Sequence, residues 1–239
     1  MSGGSLATRV AWACRILAAH GYEDLTLGHV SARDSEPDAM WIKRKGVSLA
    51  EVTPSDVLHA SINGDLEKAS DMHLEAVLHA EVYRARADVR CVIHGHPLHS
   101  TAFGAAHADL AFISHDSVLF KEGIAALEEV PELIVGRGQG EVVARALGER
   151  SALLMRNHGV VVVGKDVPWA VLTALTLERA VQLQATAASL GELRPVADEA
   201  VAPLHEMKYQ DAFLAEYWDA WVRELRREGR DFDMPEAGG

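Results

Sequence analysis

The chain has 239 residues, of which 49% are hydrophobic and 24% are charged, as in an ordinary globular protein. Its formal net charge of −12 argues against nucleic acid or an anionic membrane as the main partner. No stretch of about 18 apolar residues predicts a membrane span, and no signal peptide is evident. The two cysteines, Cys14 and Cys91, lie in apolar contexts and suggest no disulfide framework. We therefore predict a cytoplasmic protein with a single domain over residues 1–239, whose last dozen or so residues are disordered.

The N-terminal part of the chain alternates between strand-like and helical patterns. Apolar residues at helical spacing predict a helix over 6–20 that stops at Gly21. A second helix is predicted over 71–86, with Ser70 as its cap. Strand-like segments cover residues 25–31, 39–42 and 89–96, and a turn–strand–turn stretch covers 51–64.

The C-terminal part continues the same alternation. A turn-rich passage to Phe112 is followed by a helix near 140–147, strands at 152–155 and 160–163, and a long helix over 167–190. An amphipathic, aromatic tail covers 204–227. This irregular alternation predicts an α/β or α+β protein whose sheet is covered on both faces.

Two histidines at the end of a predicted strand are the strongest chemical signal. His94 and His96 are two residues apart, so their side chains point to the same face of the strand and converge on one point. Pro97 ends the strand at once and places the pair at the lip of the sheet. His158, between two further strands, is a third candidate, and three imidazoles with an open position are typical of a catalytic metal site.

Two residues of the preceding helix could join this site. Glu75 could act as a general acid/base or as a fourth ligand, although periodicity alone favours a solvated glutamate on the helix face. His79 lies one turn further on, and we favour an ordinary helix-face residue over a substrate contact.

The order of several short motifs resembles the class II aldolase/adducin family over nearly the whole chain. The motifs are Gly28-His29-Val30-Ser31-Ala32-Arg33, the stretch Ile42 to Gly46, Glu75 with Tyr83, His94-Gly95-His96-Pro97 and Asn157-His158-Gly159. Each motif is weak by itself, but the ordered set with matching intervals is specific.

The resemblance implies a three-layer α/β/α sandwich around a central mixed or largely antiparallel sheet. It implies a homotetramer with active sites at subunit interfaces, and a divalent metal held by His94, His96 and His158. Zinc is the expected ion, with manganese or cobalt as alternatives, because three imidazoles suit all of them. Glu75 matches the acid/base residue of the family.

The phosphate-binding positions of sugar-phosphate aldolases are altered in this chain. His29 stands where those enzymes carry asparagine, Lys43-Arg44-Lys45-Gly46 replaces a hydroxyl–glycine contact, and His73-Leu74 replaces a serine pair. A phosphate cradle needs small hydroxyls and close backbone N–H groups, whereas arginine and lysine suit carboxylates. The altered pattern resembles the branch of the family that decarboxylates hydroxylated aromatic dicarboxylates. The candidate substrate-binding residues are His29, Ser31, Lys43, Arg44, Lys45, Gly46, His73, His115 and Tyr209.

Three functions follow, in order of preference. The first is a metal-dependent lyase that decarboxylates a non-phosphorylated hydroxy-aromatic carboxylic acid. The metal would polarise the substrate carboxylate and hydroxyl. Glu75 would be the proton donor, with its pKa raised by a partly dry site. The second is an aldolase or epimerase acting on a sugar or sugar phosphate. The third is an adducin-like interaction module without catalysis.

Overall fold

A central β-sheet organises the fold in a computed structural model, which describes residues 5–36, 38–106, 108–128 and 133–235. Its strands are β1 (His29–Arg33), β2 (Ala39–Lys43), β3 (Val57–Ser61), β4 (Cys91–Gly95), β5 (Ala125–Leu127), β6 (Ala152–Met155) and β7 (Gly159–Gly164). The strand order is β3-β2-β1-β4-β7-β6-β5, and every neighbouring pair is antiparallel except β5 and β6, which are parallel. The predicted mixed, largely antiparallel sheet is confirmed.

Helices cover both faces of this sheet. They are α1 (Leu6–Leu17), α2 (Ala76–Ala85), α3 (Leu98–Gly104), α4 (Arg137–Leu147), α5 (Val167–Leu190), α6 (Asp198–Lys208) and α7 (Asp211–Arg227). Side chains of α1, α5 and α7 form a buried apolar cluster with one face, and those of α2 and α4 form a second cluster with the other. The central strand β7 is apolar on both faces because each face is buried, which gives the predicted three layers. None of the described helices is long and apolar enough to cross a membrane.

The register of the three central strands brings their ends together. His29 at the start of β1 pairs with His94 near the end of β4, and Val160 at the start of β7 pairs with Gly95. A Cβ atom on Gly159 would lie 2.5 Å from both the Gly95 carbonyl oxygen and the His96 ring, so only glycine allows this close approach. One end of the sheet therefore gathers the histidines of three strand termini.

The structure corrects several predicted boundaries. The first strand begins at His29 rather than residue 25, because Leu27 closes a turn onto the Asp24 carbonyl and Leu25 takes a positive φ of 50°. The helix predicted from residue 71 begins at Ala76, since residues 71–75 form turns. A helix, α3, occupies part of the passage predicted to be turns, and the tail is two helices, α6 and α7. The predicted disorder of the last dozen residues falls partly on 236–239, which lie outside the described residues.

Candidate metal centre and active site

Three imidazoles converge at the end of the sheet, as the His-x-His spacing predicts. The ring centroid of His94 lies 5.0 Å from that of His96 and 5.1 Å from that of His158. The ring centroids of His96 and His158 are 5.5 Å apart. One nitrogen of each ring lies within 4.8 Å of the others, close enough for a single ion to reach all three.

The hydrogen bonds behind two of these rings orient them for metal binding. His94 Nδ1 donates to the Val160 carbonyl oxygen at 2.9 Å, and His96 Nδ1 donates to Asp24 Oδ2 at 2.8 Å. Because both partners only accept, the Nδ1 atoms carry the protons and the Nε2 lone pairs face the cluster. Both Nε2 atoms are buried, with no hydrogen-bond partner among the described residues. The donor set therefore fits a divalent transition metal.

Glu75 closes the cluster from the other side. As the residue just before α2, it places Oε2 3.3 Å from His94 Nε2 and Oε1 3.5 Å from His158 Nε2. The backbone N–H of Ile134 donates to Oε1 at 3.0 Å. The side chain is almost fully buried, so the interpretation of a solvated helix-face glutamate is wrong. The unforeseen turn at residues 71–75 is what carries the carboxylate over the sheet end.

The protonation state of Glu75 also differs from the expectation. Burial by itself raises the pKa of this carboxyl, but neighbouring imidazoles, first those of His158 and His29, outweigh burial and hold the pKa well below its usual range. Glu75 is therefore a carboxylate in the resting site, so it must receive a proton before it can donate one.

A second layer of histidines lies beside the carboxylate. His29 Nε2 is 4.0 Å from Glu75 Oε2, and the rings of His29 and His73 are 4.0 Å apart. Burial, aided by the charge of Lys43, lowers the pKa of His73 to about 4. Behind them His79, favoured above as an ordinary helix-face residue, is fully buried and bonds His29. The sequence signal that His79 lies near the site was its position one helical turn after Glu75.

The basic segment after β2 lies at the margin of the cluster. Lys43 is fully buried and its Nζ donates to the Thr26 carbonyl oxygen at 3.0 Å, while burial lowers its pKa from 10.5. Arg44 lies 3.9 Å from Asp71 and is partly exposed, and Lys45 is exposed. Gly46 takes a φ of +81°, which suits a turn. Lys43 is thus the member of this segment whose charge reaches the histidines.

His115 and Tyr209 are not brought to the cluster by their own chain. The Tyr209 hydroxyl donates to the His115 carbonyl oxygen at 3.0 Å, and His115 itself is exposed. Tyr209 lines a cavity of about 400 Å³ with Val89 and Gly164. That cavity lies at the far end of β4 and β7, roughly 17 Å from the histidines for strands of this length. A contribution of Tyr209 to a histidine cluster would therefore require a second chain.

The protein is a seven-stranded α/β sandwich with three converging imidazoles and a buried carboxylate that could hold a metal ion. The chain belongs to the class II aldolase and adducin N-terminal domain family, whose model matches residues 8–185. It is 30% identical over 238 residues to 3,4-dihydroxyphthalate decarboxylase of Arthrobacter keyseri, covering 91% of this chain and 92% of that protein. It is 27% identical over 172 residues to L-fuculose phosphate aldolase of Methanococcus maripaludis, covering 71% and 91%. A solved aldolase II superfamily protein from Pseudomonas syringae superposes with a TM-score of 0.82 at 27% identity over 95% of this chain and 94% of that one. The family predicted from the order of motifs, and the likeness to its hydroxy-aromatic decarboxylases, are confirmed.

Proposed function

We propose that this protein is a divalent-metal-dependent carbon–carbon lyase that decarboxylates a non-phosphorylated hydroxy-aromatic carboxylic or dicarboxylic acid. The observation that carries the proposal is the placement of the buried Glu75 carboxylate against His94 and His158, with further imidazoles where sugar-phosphate aldolases bind phosphate. The similarity to 3,4-dihydroxyphthalate decarboxylase supports this choice of substrate class.

His94, His96 and His158 would hold the ion, for which zinc is our first choice and manganese or cobalt the alternatives. A divalent ion at this position supplies a Lewis acid that stabilises negative charge developing on substrate oxygen. The Nδ1 bonds to Val160 and Asp24 hold two of the rings in the orientation that this requires.

Glu75 is proposed as the proton carrier. It is ionised in the resting site, so it takes the proton of the substrate hydroxyl when the substrate binds. Carbon dioxide then leaves with cleavage of the bond from ring to carboxylate carbon, and the electron pair remains on the ring. Glu75 returns its proton to that carbon, and water reprotonates the substrate oxygen. Burial of Glu75 excludes bulk water from the transfer.

The remaining polar residues are proposed to bind substrate. His29 and His73 flank the carboxylate on the side where a second substrate carboxylate would lie, and the buried Lys43 contributes positive charge. Arg44, Lys45 and Gly46 complete the proposed substrate site, as the sequence predicts. Ser31, also predicted to bind substrate, is fully buried behind His29 and bonds His79 instead.

The assembly is proposed to be a homotetramer with active sites at subunit interfaces. Large apolar side chains beside the site residues in sequence are exposed in the single chain: Leu25 by 80%, Leu98 by 73% and Leu74 by 56%. Exposed apolar side chains near a site are typical of a surface covered by another subunit. Tyr209 and His115 do not reach the histidine cluster of their own chain, and in such an assembly a second chain would supply them. Sedimentation analysis tests the tetramer directly.

Carbon dioxide release from hydroxylated phthalates and pyridine-dicarboxylates, incubated with the zinc- or manganese-loaded protein, tests the reaction. We expect release that is lost in His94→Ala and retained in His59→Gln, which removes an imidazole bound to Asp34 on the β3 edge. Absence of release above the His94→Ala level for every acid would contradict the proposal.

An aldolase acting on a sugar phosphate is the second candidate, favoured by the similarity to L-fuculose phosphate aldolase. Retro-aldol cleavage of ketose phosphates that depends on Lys43 or Lys45 would favour it over decarboxylation. A protein that purifies without bound metal and binds neither zinc nor manganese would instead indicate a non-catalytic, adducin-like module.

A further inference from the structure

A continuous chain of hydrogen bonds runs through the core behind Glu75. The Tyr83 hydroxyl and Ser31 Oγ are 2.7 Å apart, Ser31 Oγ and His79 Nδ1 are 2.6 Å apart, and His79 Nε2 and His29 Nδ1 are 2.6 Å apart. All four side chains are at least 98% buried. The chain ends at His29 Nε2, which is buried, has no hydrogen-bond partner among the described residues and lies 4.0 Å from Glu75 Oε2.

The direction in which this chain donates is set at its far end. The Tyr83 hydroxyl is buried in the core, so its own proton needs an acceptor. Within the described part of the chain, Ser31 Oγ is the side-chain atom that can accept it. The opposite direction would leave a phenolic proton without a partner in the core.

Each later bond follows from the first. With Tyr83 donating to Ser31, the serine hydroxyl donates to His79 Nδ1, and His79 carries its proton on Nε2. That proton is donated to His29 Nδ1, which leaves the proton of His29 on Nε2. Because each ring accepts a hydrogen bond at Nδ1, each carries a single proton, on Nε2.

We propose that Tyr83, Ser31 and His79 hold His29 as a fixed Nε2–H donor, which accepts no metal and instead binds an anionic oxygen of the substrate beside Glu75. The substrate part of this inference rests on the proposed function, whereas the direction of donation does not. His29 is thus the opposite of His94 and His96, whose Nδ1 atoms donate and whose Nε2 lone pairs face the cluster.

The protonation of His29 decides whether His29, His73 and Glu75 can hold a second metal ion or instead bind substrate. His29, His73 and Glu75 offer nitrogen and oxygen atoms within 4.8 Å of one another, an arrangement that could hold a second ion. A protonated Nε2 cannot be a ligand, so the donor chain excludes that ion. The same N–H is suited to a carboxylate or phenolate oxygen.

Two measurements on the full-length protein test the direction without any substrate. In two-bond ¹H–¹⁵N spectra of the zinc-loaded, histidine-labelled protein, we expect the resonance that disappears in His29→Gln to have a protonated Nε2 and a bare Nδ1. Titration with Co²⁺ should reach one ion per chain. A bare Nε2 on His29, or a second Co²⁺ per chain that is lost in His29→Gln, would overturn the proposal.

The positioning role of His79 is tested by a matched pair of variants. His79→Gln keeps amide protons that can be donated towards His29 Nδ1, whereas His79→Leu fills similar space without a donor. We expect His79→Leu to lower kcat/KM by about 10- to 100-fold and to give a mixture of the two His29 tautomers. His79→Gln should restore most of the activity and most of the Nε2–H tautomer. Ser31→Ala serves in place of His79→Leu if that variant does not fold.

Equal kinetic losses in His79→Leu and His79→Gln, with the tautomer of His29 unchanged, would overturn the positioning role. If the wild-type protein released no carbon dioxide from any acid but showed the expected tautomer and one Co²⁺ per chain, the donor assignment would stand and the proposed function would fail.

Discussion

Removal of the carboxylate behind His96 should weaken metal binding without removing a ligand. Asp24 Oδ2 accepts from His96 Nδ1 at 2.8 Å, which fixes the proton on Nδ1 and makes Nε2 the more basic nitrogen. Asp24 is 38% exposed, so water can partly replace it. Asp24→Asn, whose amide oxygen still accepts, should raise the Kd for zinc about 10-fold, and Asp24→Ala about 10- to 100-fold. The latter corresponds to about 1.4–2.7 kcal/mol of binding free energy.

Competition with a chromophoric chelator measures the zinc affinity of each variant. Asp34→Asn is the matched control, because Asp34 Oδ2 also pairs with an imidazole, that of His59, on the β3 edge of the sheet. We expect Asp34→Asn to bind zinc as the wild type does. An unchanged Kd in Asp24→Ala, or an equal weakening in Asp34→Asn, would refute the idea that Asp24 orients a ligand.

Four further outcomes follow from the structure. Glu75→Gln should lower decarboxylation by about 10²- to 10⁴-fold while the fold persists, measured by carbon dioxide release and circular dichroism; wild-type turnover would contradict the proton-carrier role. Gly159→Ala should lower the zinc affinity, and it should lower the free energy of unfolding in urea by about 1–3 kcal/mol, because its Cβ meets the Gly95 carbonyl and the His96 ring. Gly138→Ala, whose Cβ would lie in open space, should change neither. Glu178→Gln should cost about 1–3 kcal/mol of stability, since this carboxylate accepts from the His99 and Ser100 backbone N–H groups that begin α3. A Tm equal to that of the wild type would contradict this role of Glu178.

The fourth outcome concerns the stability of the protein in acid. Burial depresses the pKa of His29, His73 and His79 in the folded, metal-free protein, so the unfolded chain binds more protons below about pH 6.5. The free energy of unfolding should therefore be constant above pH 7 and fall as the pH is lowered towards 4. His79→Gln removes one of these groups and should make the decline shallower, and an equally steep decline in urea titrations would count against the assignment.

The proposed metal ligands were the part of the site that local sequence could indicate. The two-residue period of a strand puts His94 and His96 on one face, and Pro97 marks where the strand ends, so their convergence needs no tertiary information. The alternation of helical and strand-like segments likewise predicts the layered α/β fold. The pairing of His158 with them required either the family resemblance or the β4–β7 register.

Tertiary structure decided what surrounds those ligands. Helical periodicity placed Glu75 on a solvated face, but the turn before α2 buries it against His94 and His158. Neighbouring imidazoles, first those of His158 and His29, reverse the expected direction of its pKa shift. The hydrogen-bond chain from Tyr83 to His29 joins two elements that are distant in sequence, and its direction depends on which atoms meet across the β1–α2 contact. Residue type and spacing therefore determine which side chains can bind a metal, whereas strand register and packing determine which nitrogen carries the proton.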